Sequence, residues 1–376
     1  MIFAIPLAWL QLKRETVRLL VALAGIGFAV ILMFIQLGFQ DALFESAVSL
    51  HQSFDGDIFL ISPQSTALIA MEQFPQRRLY QALGVDGVES VSPLYIGFGT
   101  WRNPENRRTR QILVLGFEPD NPVLEKSFVP DLTPIRLPDT VLFDRASREE
   151  FGPIPQLFEQ NHHVVTEVSG RRVAVGGLFK LGASFGADGN MITSDLNFLR
   201  IFSQRQMGQI EVGIVRLKPG ANVATVLKTL ETELQESGKD VRVLTKEGFV
   251  NFELDYWKSS TAIGFVVGTV IVYQILYTDV SDHLAEYATL KAMGYRNFYL
   301  LTVVFQEALI LSIMGFIPAY LLSIGLYNLT RNATSLPIGM TLSRSITVLC
   351  LTVIMCSVSG AIAVRRVQDA DPADIF

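Results

Sequence analysis

Three groups of residues have types and spacings from which chemistry is commonly built. His162-His163 is a histidine pair, but neighbours on a strand point to opposite faces, and no Cys, Asp or Glu stands nearby at ligand spacing. No metal site is expected there. The run Gly176-Gly177, Gly182, Gly186 and Gly189 has the composition of a phosphate loop, yet G-x-x-x-x-G-K-[ST] occurs nowhere and no helical pattern follows at once. Turn and bulge glycines account for it. Neither G-x-S-x-G nor H-E-x-x-H is present, so a hydrolase reading has no residue to stand on. The third group is Glu307, a carboxylate within an apolar stretch; at the centre of a spanning helix an ionisable group costs about 2.5 to 3.5 kcal/mol, and less toward the interface. It is either a bundle-facing or substrate-path carboxylate, or a residue near the cytoplasmic boundary whose head reaches water or Lys291 and Arg296. No catalytic residue, cofactor ligand or metal ligand is expected on this chain.

The elements that must hold these residues are set by hydropathy. The chain has 376 residues, 49% of them hydrophobic, and a mean hydropathy of +0.35, above the usual soluble range. Its net charge of −5 includes no long Lys/Arg block, which excludes a nucleic-acid partner. The two cysteines, Cys350 and Cys356, share one apolar run, so no disulfide staples the hydrophilic part. A spanning helix needs about 20 apolar residues, and four charge-free runs qualify. They are residues 19–40, residues 259–278, the run Ala308–Thr330 with its lead-in Asn297–Gln306 (the span itself placed at 299–326), and residues 345–364. The first follows Lys13, Arg14 and Arg18 as a signal peptide would, but it is too long and leads into Phe39, Gln40 and Asp41 without a small-x-small site; it reads as a retained anchor.

Lys and Arg near the span ends set orientation. Lys13, Arg14 and Arg18, then Lys291 and Arg296, then Arg365 and Arg366 lie on one side, against Arg331 and Arg344 in the short loop 327–344. Both termini are therefore expected in the cytoplasm, including the tail 365–376, with residues 41–258 outside. Residues 1–18, with Ile2, Ile5, Trp9 and Leu12 beside Lys13 and Arg14, suit an interfacial amphipathic helix anchored by Trp9, Arg14 and Arg18; a plain extension of the first span is the alternative.

Residues 41–258 are too many for a loop without its own fold. Ile210, Val212 and Ile214 alternate as a strand, Pro219-Gly220 breaks it, Val223, Val226, Leu227, Leu230 and Leu234 recur at helical spacing, and a strand follows at Val241 and Val243. Leu94–Trp101 and Gln111–Phe117 flank a polar loop as a hairpin, while Phe128–Gln160 is proline-rich and aperiodic. The expected fold is an α-helical membrane protein of four transmembrane helices, with a large α+β extracytoplasmic domain, read as two subdomains, between helices 1 and 2.

Between spans two and three, residues 279–296 are polar and helical in character, with Leu284, Ala288, Leu290 and Lys291 among Asp279, Asp282 and Glu286 before Gly294. Such a helix offers a surface to a cytoplasmic partner. Gly25 and Gly27, and Gly264-x-x-x-Gly268, supply small faces for helix packing or dimerisation.

One span, a large outer domain and three further spans resemble the MacB/FtsX/LolC superfamily of ABC permeases. Ala8-Trp9 to Arg18 with Leu23-Ala24-Gly25-Ile26 is similar to its elbow helix and first span, and residues 286–294, Glu-Tyr-Ala-Thr-Leu-Lys-Ala-Met-Gly, to its "R-E-x-x-x-L-R-A-x-G" signature. Phe305-Gln306-Glu307-Ala308-Leu309 with Gly315 is similar to its third-span "F-x-x-E-x" segment. Gly360-Ala361, Arg365-Arg366 and Asp371-Pro372-Ala373 are similar to its "R-R-x-x-x-x-D-P" ending. Within the superfamily, Pro6–Leu12, Phe34–Phe39, Ser62-Pro63-Gln64 and Leu79–Leu83 resemble DevC-type permeases of cyanobacterial heterocyst-glycolipid exporters.

The resemblance implies a homodimeric permease in a cyanobacterial inner membrane that moves a glycolipid or other amphiphile by mechanotransmission. It implies an ABC ATPase partner (DevA-like) docked through Asp282, Glu286, Leu290, Lys291, Met293 and Gly294, and ATP and Mg held by that partner. It also implies a periplasmic membrane-fusion adaptor (DevB-like) and a TolC-like outer-membrane channel. An FtsX-like regulator of a periplasmic cell-wall hydrolase is the alternative.

Overall fold

The computed structural model describes residues 16–129, 131–161, 164–236, 238, 240–258, 297–334 and 336–369. It divides into two compact units, one of residues Met1–Ala42 with Thr261–Phe376 and one of Leu43–Ser260.

Helix α1, Thr16–Ser53, starts the chain's described part. At 1.5 Å per residue its 38 residues measure about 57 Å, well beyond the roughly 30 Å of bilayer hydrocarbon. The apolar run that reads as a span therefore occupies only part of it, and the helix carries on through Asp41–Ser53, a stretch that residue patterning did not assign. The remaining helices of the first unit are α7, Asn297–Thr334, and α8, Leu342–Asp369. Here too the helix outruns the span: much of the segment 327–344, read as a short loop, is helical. Among the described residues, α1 and α7 are long and apolar enough to cross a membrane, and α8 carries a shorter apolar stretch, Leu342–Val358. The second expected span, 259–278, lies outside the described residues.

The unit Leu43–Ser260 is built on β1 (Ile58–Ile61), β3 (Val88–Arg102), β4 (Thr109–Phe117), β5 (Thr140–Asp144), β6 (Val164–Val168), β7 (Arg171–Phe179), β8 (Asn190–Ser194), β10 (Val212–Leu217) and β11 (Arg242–Thr245), with the small pair β2 (Phe74–Pro75) and β9 (Gln209–Ile210) aside. The nine strands run β11-β1-β10-β3-β4-β8-β5-β7-β6, and β6 returns to pair with β3. That extra pairing closes a six-stranded ring, β3-β4-β8-β5-β7-β6, and leaves β11-β1-β10 as an open wing sharing β3. The 15-residue β3 serves both parts: its first half pairs with β10 (Val91↔Val215) and its second half with β4 (Leu94↔Phe117 through Arg102↔Thr109). The expected α+β domain is present, and so is the hairpin read at 94–117.

The open wing is covered on both faces. Ile58 and Leu60 of β1 face one core with Leu79 of α2 (Gln76–Gln81) and Val226, Leu230 and Leu234 of α5 (Val223–Glu236). Phe59 and Ile61 face the other, with Leu50 from α1, Phe54 just after it and Phe249 from α6, the helix over residues 246–258. Two short helices, α3 (Ile154–Asn161) and α4 (Asp195–Ile201), pack against the ring. The β-turn-α-β unit read at 210–243 exists as β10, α5 and β11, but its strands are not neighbours, because β1 lies between them.

Candidate functional site

Most residues singled out from the sequence fall on undescribed stretches. Asp282, Glu286, Leu290, Lys291, Met293 and Gly294 lie outside the described residues, as do Trp9, Arg14, Gly264, Gly268 and His162-His163. Arg18 falls in α1 and Glu307 in α7, with side chains not described. The glycine-rich stretch does adopt a turn, held by Asp144. That fully buried carboxylate accepts hydrogen bonds from the Leu181 and Gly182 N–H groups and from Asn190 Nδ2, while Gly176 and Gly177 belong to β7.

Within the first unit, the structure brings together a polar cluster that sequence patterning did not identify. Arg344, in the first turn of α8 and 7% exposed, donates from Nε (3.1 Å) and Nη2 (2.6 Å) to Asp41 of α1, and from Nη1 to the Gly339 carbonyl at 2.7 Å. Its guanidinium lies 5.6 Å from the ring centroid of Tyr327, on α7, whose hydroxyl donates to the Phe34 carbonyl of α1. Three helices are thus tied by one arginine and one tyrosine. Gly38 permits it, since a Cβ there would run into the Tyr327 ring. Elsewhere along the same pair of helices, Gly315 of α7 meets α1 so closely that a Cβ would sit 2.8 Å from Ile26 Cγ2. Gly27 faces this contact, as a small face does, whereas nothing among the described residues stands within 4 Å of a Cβ at Gly25.

Within the second unit, α1 and α6 meet through His51 and Glu253, both essentially buried, with His51 Nε2 3.5 Å from Glu253 Oε2. Glu253 Oε2 accepts from the Leu68 N–H at 2.7 Å and Oε1 from Trp257 Nε1 at 2.8 Å. Burial pushes its carboxyl above the ordinary carboxylate range, opposed by those two donors, which favour the charged form. Phe249 packs over His51 (4.5 Å between centroids) and stacks on Phe59 (4.9 Å). A second buried carboxylate, Glu211, accepts from the Ile96 N–H and pairs with Arg205; burial raises its pKa and the guanidinium lowers it. Both carboxylates have their partners supplied internally, as structural groups do.

Comparison with known proteins fits the C-terminal part of the chain: residues 259–372 match the family of FtsX-like permease C-terminal domains. Curated protein sequences return no match. Among solved structures, the periplasmic region of MacB from Actinobacillus actinomycetemcomitans aligns at 11% identity over 52% of this chain and 92% of its own, with a TM-score of 0.37. The extracellular domain of the noncanonic ABC-type transporter YknZ from Gram-positive bacteria aligns at 16% identity over 50% of this chain and 100% of its own, with a TM-score of 0.36.

Proposed function

We propose that this chain is the permease subunit of an ABC-type exporter whose ATPase is a separate polypeptide. The observation that carries it is the match of residues 259–372 to the FtsX-like permease C-terminal family. A large α+β domain precedes that stretch, and α1 is long and apolar enough to anchor it on the other side. The domain boundaries belong to the same reading: spans at 19–40, 259–278, 299–326 and 345–364, with 41–258 outside the membrane.

In this reading the helix within 279–296 docks the ATPase through Asp282, Glu286, Leu290, Lys291, Met293 and Gly294. Nucleotide-driven motion of two such chains passes to the outer domains, a rigid-body transition of bistable packed helices. ATP and Mg belong to the partner. The cargo is a glycolipid or another amphiphile, handed to a periplasmic adaptor and an outer-membrane channel of a bacterial, cyanobacterial-type envelope.

The test is affinity capture of the detergent-solubilised chain from its native membrane, wild type against the double variant Glu286→Arg, Leu290→Asp, with ATPase activity measured on the captured material. Wild type is expected to retain an ATPase that the folded double variant loses. Capture of no ATPase by either form would sink the permease reading. Co-capture of a cell-wall hydrolase in place of an adaptor would replace export by FtsX-like regulation.

A further inference from the structure

Two loops far apart in sequence present apolar tips beside Trp257, near the end of the second unit. The first tip is a tight turn at Ala67–Ala70, closed by the Ala70 N–H on the Ala67 carbonyl, and it leaves Ile69 36% exposed. The second is the turn Ser184–Ala187, closed by the Ser184 N–H on the Ala187 carbonyl and by the Ala187 N–H on Ser184 Oγ; it leaves Phe185 40% exposed. The tips touch, since a Cβ on Gly186 would fall 2.8 Å from Ile69 Cγ2. Phe185 lies 6.4 Å, centroid to centroid, from Trp257. Both turns are built rather than loose: Glu253 holds the first through the Leu68 N–H and Trp257 through its indole, and Asp144 holds the root of the second at Leu181 and Gly182. Exposed large side chains on turns fixed in this way are not spare core residues.

We infer that Ile69, Phe185 and Trp257 form a surface that rests in the lipid interface of the outer leaflet, beside the entry of the second span. The inference rests on the reading of residues 259–278 as that span. Chain connectivity supplies the argument for lipid over a protein partner. Trp257 stands two residues before Ser259, a reach of at most about 7 Å, so it sits at the membrane boundary wherever the span begins. Tryptophan is the side chain most at home there, its apolar ring in the acyl boundary and its N–H engaged, here by Glu253. The runs Ala67–Met71 and Leu181–Ala187 carry no charge, so lowering them into the interface desolvates no ion. A domain seated this way contacts outer-leaflet amphiphiles directly, the class of molecule that the proposed exporter moves.

The test uses the full chain in a Cys350→Ala, Cys356→Ala background, reconstituted in phosphatidylcholine vesicles. Single cysteines at Ile69, Phe185 and, as exposed reference, Lys218 on the turn after β10 are labelled with an environment-sensitive nitrobenzoxadiazole dye. Flotation after alkaline washing first reports whether the chain is membrane-integrated. Lipid carrying a nitroxide high on its acyl chain is then expected to quench the dye at 69 and 185 at least twofold more than at 218. Integrated protein in which all three positions are quenched alike overturns the inference while leaving the span reading intact. Protein that does not float with the vesicles overturns both.

Discussion

Arg344 shows how a single side chain can organise three helices. With nearly all its donors engaged and its partner Asp41 half-exposed, its pairing gains from the carbonyl and ring contacts more than from charge alone. Arg344→Met is expected to cost about 1–3 kcal/mol, from the unmet Gly339 carbonyl and the loss of the buried guanidinium contacts. Asp41→Asn, which keeps an acceptor, is expected to cost less than half of that, and thermal unfolding of the solubilised chain distinguishes the two. Glu253 makes a prediction with a pH sign. A carboxyl whose pKa is raised on folding favours the protonated form. Its contribution to stability is therefore full below the unfolded value, near 4.5, and is lost as pH rises through the folded one. Glu253→Gln should flatten the part of the stability profile that falls as pH rises above about 4.5. Glu253→Leu, which strips the acceptor from Leu68 and Trp257, should cost about 1–3 kcal/mol at neutral pH. A variant profile with the wild-type slope would show that Glu253 is not the titrating group. None of these roles was legible in the sequence: Asp41 and Arg344 are 303 positions apart, and Arg344 read as one of two outward charges.

At the scale of elements, α1 and α7 approach through glycine. Gly315→Leu places a branched side chain where even a Cβ meets Ile26, so the helices must separate or shift. The expected cost is about 1–3 kcal/mol, seen as a lower unfolding temperature in detergent, whereas Gly25→Leu, where nothing among the described residues stands within 4 Å, should leave it near wild type. Strand recognition from sequence followed burial. The unit β10-α5-β11 was legible because its apolar residues repeat with the period of the element that carries them, and the hairpin β3–β4 because a polar loop separates its two strands. β1 was not, because both of its faces are covered: Ile58–Ile61 is an unbroken apolar run too short to declare a period. β5 and β8 are likewise buried at every position, which hides them within a proline-rich stretch and behind a glycine-rich one.

For the whole molecule, the unit Leu43–Ser260 has its own two cores and no cysteine, so it should fold alone and unfold at the same temperature with or without reductant. A shorter piece, residues 54–245, lacks Leu50, His51, Phe249 and Glu253, which cover one face of the open wing. It is expected to lose cooperative unfolding, and near-ultraviolet circular dichroism of the two pieces checks this.

The sequence by itself determined that the chain alternates long apolar runs with one large mixed domain, because charge-free length and period are local properties that need no partner to be read. It also sufficed for the match of residues 259–372 to the FtsX-like permease C-terminal family, since motif order survives without coordinates. Only the tertiary structure decided that β6 closes a ring on β3, that β1 enters between β10 and β11, and that Arg344 reaches Asp41. It alone gathers Ile69 and Phe185 around Trp257. Each of these is a pairing between residues scores of positions apart, and what selects it is the burial and hydrogen-bond satisfaction of the folded whole, which no local window of sequence contains.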